Sequence, residues 1–458
     1  MLKIRCETYV SSSDSERHIS SESYFKVETN LLQGVIKMKR YLKDFKLDVP
    51  FIEDSIYECL DSRGNSKKRW KRLDVAYFLS DYLISFGRSR GLNRHDLAHY
   101  LHDYIMSHKD FKKAFTNLIH DIAVSIFNEI DTKSITLEPI KYIDKVDVSS
   151  GKVRKIGLTT IKQQVYDYIA AKACNRMFLN KIGTYQCASI KGRGQIYGKK
   201  AIEKWIRKNP KSCKWVWKGD IKKYYPSVPH DKLKELLRRD IKNDTVIYIL
   251  FTLINTYDIG LCIGSYLSKS LANYYLSYAY HHLSEQCFKI RKKRNGTIQR
   301  VRLISHLLFY MDDVVIFSPS KKDLKLCIKS LNGFLKTKLG LKIKNNEQLF
   351  KLDTRPIDMM GFMIYTDKTT IRKRIFKRAN KIICKYRSPD TAMSVKDAKS
   401  IMAYKGYFDN SDSLKYKRKH KCERIFENAR KVIKNENKGI IYTETATIQI
   451  FQSQPNSR

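Results

Sequence analysis

The stretch "FYMDDVVIF", Phe309 to Phe317, sets two adjacent carboxylates inside an apolar run. The β-branched and aromatic residues on either side read as a buried strand, a tight turn and a second buried strand. A buried ionised carboxylate is costly unless it is paired, so Asp312 and Asp313 need a partner. Upstream, "WVWKGDIKKYYPSVPHDKL" carries a short apolar strand at Trp215 to Trp217, with Asp220 just past its end. A solvated turn or a helix cap is the ordinary role for one aspartate in such a place, and an exposed hairpin turn is the ordinary role for the pair. If the two strands lie side by side in one sheet, however, the three carboxylates converge at one edge. Convergent carboxylates repel unless a cation sits among them, and hard oxygen ligands suit Mg²⁺. The chemistry that needs such a site is phosphoryl transfer, in which a pair of metal ions activates the attacking hydroxyl and stabilises the leaving oxygen.

The rest of the chain fits a polyanionic substrate. Its 458 residues are 42% hydrophobic, enough for two or three domains with cores of their own. Lys and Arg number 89 against 46 acids, a net charge of +43, and a solvated surface alone would mix the signs. Nucleic acid is the economical partner. A membrane surface is the weaker one, because no apolar run is long enough to span and no signal peptide is evident. Ten cysteines scattered from Cys6 to Cys422 without a CxxC pair point to a reducing cytoplasm and buried thiols.

Three regions and a tail must position these groups. Residues 1–140 show helical periodicity in patches, such as Val75 to Phe86 and Phe115 to Ile130, with loops at Ser11 to Glu16 and Ser62 to Lys68. Residues 141–369 alternate short β-rich runs with helices, an α+β pattern. Residues 370–435 are helical and basic, and 436–458 form a tail with one strand expected at Ala446 to Phe451. Between Ile371 and Ser388 lie eight basic residues and no acid. Arg374, Arg378, Lys381 and Lys385 share one helical face, and Ile375, Ala379 and Ile382 another.

At this point the ordered motifs resemble those of reverse transcriptases, bacterial ones in particular. "GDIKKYYPS" around Asp220 is similar to the family's first catalytic motif and "YMDD", Tyr310 to Asp313, to its second. "IGSYLSKSLANYYL", Ile263 to Leu276, resembles the template-and-nucleotide segment, "MGFMI", Met360 to Ile364, the primer-gripping hairpin, and "SGKVRKIG", Ser150 to Gly157, the fingers strand. The resemblance implies a right-hand polymerase: fingers, a palm of antiparallel sheet with flanking helices, and a helical thumb, preceded here by a helical N-terminal region. It implies two Mg²⁺ ions, with Mn²⁺ as a substitute, on Asp220, Asp312, Asp313 and the carbonyl of Ile221. Lys152, Arg154, Lys223, Tyr224, Tyr225, Ile263 and Gly264 would face the incoming nucleotide, with Tyr225 as the bulky gate against a ribose 2′-hydroxyl. Lys191, Arg193, Ser265, Met360, Gly361, Arg374, Arg378, Lys381 and Lys385 would face template and primer. The implied partners are a non-coding RNA template, a primer–template duplex and deoxynucleoside triphosphates, with no membrane and with self-association left open.

Two departures qualify the likeness. Ile263 stands where many relatives, retroviral enzymes included, carry a Gln. A hydrophobe there also occurs in diversity-generating retroelement enzymes, whose motif ends in Ser-Gln where this chain has Ser268–Lys269. The Lys that the family often uses as a general acid is replaced by Glu347 or Gln348, leaving Lys344, Lys351 or water as the proton source. "IMAYKGYFDNSDSL" resembles the thumb of group II intron-like and retroelement enzymes. The chain leaves no room after the thumb for an RNase H domain, shows no Cys/His cluster of an intron endonuclease, and lacks the long helical extension of abortive-infection enzymes. A compact bacterial chain of this kind most resembles the unknown-group, defence-associated reverse transcriptases, which act in the cytoplasm against phage with a neighbouring non-coding RNA. Retron and diversity-generating enzymes, untemplated or protein-primed synthesis, and a non-catalytic RNA-binding scaffold are the alternatives.

Overall fold

In the computed structural model, the described residues are 41–61, 69–147, 151–388 and 391–436. The loops expected at 11–16 and 62–68 and the strand expected at 446–451 lie outside them.

The palm is a five-stranded sheet. Its members are β3 (Gln186–Cys187), β4 (Trp215–Asp220), β7 (His306–Tyr310), β8 (Asp313–Ser318) and β9 (Gln348–Lys351), in the order β3-β7-β8-β4-β9. The sheet is antiparallel except at β3, a two-residue strand that pairs parallel with β7. The apolar run seen at Trp215 continues further than expected: β4 includes Asp220, which pairs in register with Asp313.

Strand side chains alternate between faces, so the two faces have separate cores. Trp217, Phe309, Val314 and Ile316 pack on one side with α12 (Ser268–His281) and α13 (Lys321–Phe334). Val216, Leu308, Val315 and Phe317 pack on the other against Ile202, Trp205 and Ile206 of α8 (Gln195–Lys208). That second core also takes in a three-stranded sheet of β10 (Ile357–Met359), β11 (Phe362–Ile364) and β12 (Thr369–Ile371).

The helical periodicity of the N-terminal region is realised in α1 (Val49–Asp61), α2 (Leu73–Ser85), α3 (Arg94–Ser107), the single turn α4 (Phe111–Ala114) and α5 (Thr116–Asp131). The apolar stripe of α5, Ile119, Ile122, Ile126 and Ile130, is buried in the same core as the palm. Helix α1 packs on α6 (Ile161–Ala173), which follows the fingers hairpin of β1 (Lys141–Val146) and β2 (Val153–Leu158). The thumb begins at α14 (Lys373–Lys385) and closes its own core of Ala379, Ile383, Ala398, Ile401, Phe408 and Phe426. Among the described residues no helix is long and apolar enough to cross a membrane.

Candidate active site

Strands β7 and β8 form a hairpin whose last pair is Tyr310 with Asp313, so Met311 and Asp312 make the turn. Met311 has φ 53°, a left-handed conformation that a side chain adopts only when its surroundings impose it. Its amide donates to the Cys187 carbonyl (3.3 Å), while the Ile221 amide donates to the carbonyl of Asp312 (3.1 Å). The turn is thereby pinned on both sides and delivers Asp312 against Asp220.

The two side chains share a hydrogen bond, and burial together with the Asp220 charge pushes the Asp312 carboxyl up to about 7. Two acids held this close raise one another in this way. Asp313 is drawn elsewhere. Its Oδ1 lies 3.9 Å from Lys218 Nζ, and burial raises its carboxyl against the opposing pull of that lysine. Lys218 donates to the carbonyl of Asp358 (2.6 Å), whose carboxylate accepts from Arg372 Nε (2.5 Å) at the threshold of the thumb helix. Among the described residues no three His, Cys, Asp or Glu side chains gather closely enough to hold a metal ion by themselves. What fits a hard cation here is the Asp220–Asp312 pair, next to buried Ile221.

The general-acid question narrows on geometry. Glu347 accepts from the Trp217 indole (3.0 Å), Gln348 from Arg355 (2.9 Å), and Lys351 pairs with Asp353 (2.5 Å). Lys344 instead stands 3.8 Å from Asp220 Oδ2, and its amide donates to the Asp220 carbonyl (2.8 Å).

Beneath the carboxylates the backbone turns through Lys223, exposed at φ 46°, into Tyr224 and Tyr225. Tyr225 lies near Asp312, and burial and that charge push its hydroxyl up to about 12. Tyr224 departs from the expected nucleotide contact: it is buried, and its hydroxyl donates to the Ala272 carbonyl (2.6 Å).

The fingers hairpin joins this site at Gly157. Its amide donates to the Ile263 carbonyl (2.7 Å), and Gly264, at φ +131°, passes so close that a Cβ would lie 2.2 Å from the Gly157 oxygen. Arg154 and Lys152 sit toward the exposed tip of the hairpin, where Arg154 reaches Asp147 (3.3 Å).

Ser265, expected to face the template, points the other way. It is buried, and its hydroxyl donates to Asp167 Oδ2 (2.7 Å), which also accepts from the Tyr266 amide (2.9 Å). Asp167 escaped the sequence reading; the available signal was one acid among the buried positions Val165, Tyr166, Tyr168 and Ile169 of α6. Burial pushes its carboxyl up to about 7 against those hydrogen bonds. Its Oδ1 and the Oε1 of Gln163, one turn away, are both buried acceptors without a partner. A proton on Asp167 turns one of these acceptors into a donor, which agrees with the direction of the shift.

The template and primer residues fall into two groups. Lys191 is exposed, and Arg193 is half-buried with a hydrogen bond to the Gly183 carbonyl (2.9 Å). Met360 (φ 55°) and Gly361 (φ 82°) form the tight turn between β10 and β11, but the Met360 side chain is buried rather than presented. The turn is a palm–thumb joint: Gln195 donates to both the Met360 carbonyl and the Tyr407 hydroxyl, and the Arg372 amide donates to the Gly361 carbonyl (2.9 Å). On α14 the exposed cations Lys373, Arg374, Lys377 and Arg378 surround a surface hollow, with Lys381 exposed beyond them. Lys385 leaves that set, because Asp397 on the following helix takes it at 2.8 Å.

Residues 143–364 match the family described as reverse transcriptase (RNA-dependent DNA polymerase). A 91 kDa protein in the cob intron of Schizosaccharomyces pombe is 40% identical over 87 residues, 17% of this chain and 10% of that protein. The COX1/OXI3 intron 2 protein of Saccharomyces cerevisiae is 22% identical over 202 residues, 33% of this chain and 24% of that protein. The chain thus spans no more than about a quarter of the curated relatives it matches. A solved structure of apo telomerase from Candida Tropicalis, truncated from the C-terminal domain, superposes with a TM-score of 0.33 at 12% identity over 76% of this chain and 85% of that one. The family match runs from the fingers hairpin to β11, 222 of the 458 residues, and the stretch it covers encloses Asp220, Asp312 and Asp313.

Proposed function

We propose that the protein is an RNA-directed DNA polymerase that extends a primer 3′ hydroxyl with deoxynucleoside triphosphates. The observation that carries this reading is the contact of Asp220 with Asp312 at the end of a sheet whose strands bear the family's motifs. Mg²⁺, or Mn²⁺ in its place, would be held by Asp220, Asp312 and the Ile221 carbonyl, and when bound would acidify the primer hydroxyl and offset triphosphate charge. The primer hydroxyl passes its proton to solvent water, its oxygen forms a bond to the α-phosphorus as the bond to the bridging oxygen breaks, and pyrophosphate leaves. Lys344, beside Asp220, is placed to give the leaving pyrophosphate its proton. Tyr225 sets a ring near Asp312, where a 2′-hydroxyl would clash. The cations of α14 would follow the duplex backbone.

For the template we infer a structured non-coding RNA, and for the setting an anti-phage role in a bacterial cytoplasm. The net charge of +43 and the resemblance to defence-associated enzymes support this. A second reading has one observation in its favour: both curated relatives named above are intron proteins, which points to an intron RNA as template.

The test is primer extension by the purified protein on an oligo(dT)-primed poly(rA) template, beside Asp312→Asn, with sequencing of co-purifying nucleic acid. The expected result is extension by the wild type, none by the variant at an unchanged or higher melting temperature, and a bound RNA matching the DNA made. DNA without a matching RNA would establish terminal addition instead. Equal inactivity of both proteins, with RNA bound, would establish a scaffold.

A further inference from the structure

Between α12 and the catalytic hairpin the chain makes a two-stranded ribbon of β5 (Phe288–Lys292) and β6 (Ile298–Arg302) that the polymerase reading leaves unused. Its sequence, "FKIRKKRNGTIQRVR", has seven basic residues and no acid, several times the charge density of the whole chain. Apart from half-buried Phe288 and Val301, every residue of it is exposed.

The ribbon is built, not frayed. Its register pairs Ile290 with Arg300 and Lys292 with Ile298. Asn295 closes the turn by accepting from the Thr297 amide (3.2 Å) and hydroxyl (2.7 Å). At the base, Lys289 is fixed by both oxygens of Asp323 (2.8 and 2.7 Å), and the Arg300 guanidinium lies over the Phe288 ring at 3.4 Å. Only Lys289 of the seven is paired with a carboxylate among the described residues.

Lysines on an exposed strand ordinarily block edge-to-edge aggregation. That explains neither the absence of acids nor the two isoleucines left on the same face as Arg300 and Arg302: Ile290 is 43% and Ile298 73% exposed. Cations interleaved with exposed apolar groups suit phosphates together with unstacked bases, which lie on guanidinium planes and apolar side chains.

The ribbon also stands away from the chemistry. Its base joins the sheet at the end of β8 remote from Asp313: the Ser318 hydroxyl donates to the Leu303 carbonyl (2.7 Å), and the Ser305 amide to that of Phe317 (2.9 Å). Five residue steps along the strand put roughly 16 Å between that end and the carboxylates.

We propose that the 288–302 ribbon is a second RNA-binding surface, which holds unpaired or irregular parts of an RNA outside the stretch being copied. The choice of RNA as partner rests on the polymerase reading above; the surface itself does not.

The test uses the full-length protein with Arg291, Lys292, Arg294 and Arg300 each changed to Gln, and separately Ile298→Ser, an exposed change that leaves the charge intact. Binding of a long hairpin-rich RNA is measured against salt concentration, beside extension of oligo(dT) on poly(rA). The expected result for the fourfold variant is an RNA affinity at least about tenfold weaker and a salt dependence shallower by about 0.7 log unit for each phosphate left without its cation. Extension on the short duplex stays at the wild-type rate, and Ile298→Ser weakens RNA binding without changing the melting temperature. Unchanged RNA affinity and slope in both variants would overturn the proposal. So would loss of binding to anionic phosphatidylserine vesicles with RNA binding intact, which would make the ribbon a membrane contact. If the fourfold variant fails to fold, Ile298→Ser decides. Absence of extension in the wild type would count against the polymerase reading and leave the RNA comparison standing.

Discussion

Replacing Gly264 by alanine should separate the fingers from the palm at their backbone joint. The new Cβ would lie 2.2 Å from the Gly157 carbonyl oxygen, about 1 Å inside ordinary contact, and φ is +131°, where side chains are rarely found. Backbone strain of that kind costs about 1–3 kcal/mol. Moving the strand apart also breaks the Gly157–Ile263 hydrogen bond of 2.7 Å, worth about 1 kcal/mol. The total of about 2–4 kcal/mol corresponds to roughly a 30- to 1,000-fold change in an equilibrium constant. If the joint opens locally, the loss shows in KM for the incoming nucleotide while the melting temperature holds. If the domain responds as a unit, it shows as a drop of a few degrees in Tm. Steady-state primer extension with varied dTTP, beside thermal denaturation, distinguishes the two. Gly333→Ala, in a helix with open space around it, is the control and should be neutral or slightly stabilising. A Gly264→Ala protein with wild-type KM and wild-type Tm would refute this account of the joint.

Asp167 is raised to about 7 in the folded protein against an ordinary carboxylate in the unfolded chain, so folding takes up a proton between those values. The stability it permits is fully present below about pH 4 and is lost as pH rises through about 7; Asp167→Asn should therefore flatten the decline of Tm over that window, and an unchanged pH profile would refute the assignment. Lys344→Ala should lower kcat by roughly 10²-fold with little change in nucleotide KM, as loss of a general acid does; a change confined to KM would make the lysine a binding group. Tyr225→Ala should improve use of ribonucleotides relative to deoxynucleotides by about 10–200-fold, the range set by a small steric difference in a pocket. Competitive incorporation of dTTP against UTP reads that ratio directly, and an unaltered ratio would remove Tyr225 as the gate.

The convergence of Asp220 with Asp312 and Asp313 was legible because two acids in an apolar hairpin have few bland explanations, and because the residues around Asp220 resemble a known motif that stands in a fixed order with the others. Helices such as α5 were legible through their 3.6-residue apolar period. Side-chain direction was not. Ser265 and Tyr224 lie next to exposed or functional neighbours in sequence, yet both turn inward because Asp167 and the Ala272 carbonyl, distant in the chain, offer them partners. The same limit hid Lys385, whose ion pair comes from a residue on the next helix. Two-residue β3 carries no periodicity at all, so its parallel pairing with β7 could come only from the fold.

The turn at Met360 and Gly361 has a mechanical meaning. Helix α14 starts two strands later in the chain, but its root is tied to the turn through the Arg372 amide on the Gly361 carbonyl. At about 1.5 Å per residue over 13 residues it is an arm about 20 Å long. Pivoting that arm by about 10° at its root sweeps the far end through about 3.4 Å, the advance of a strand by one base. Gln195, whose side-chain nitrogen donates to both the turn and the Tyr407 hydroxyl, would resist such a pivot. An arm of that length rooted at a buried turn would convert a small angular step into a displacement the size of the stride of the polymer it is proposed to follow.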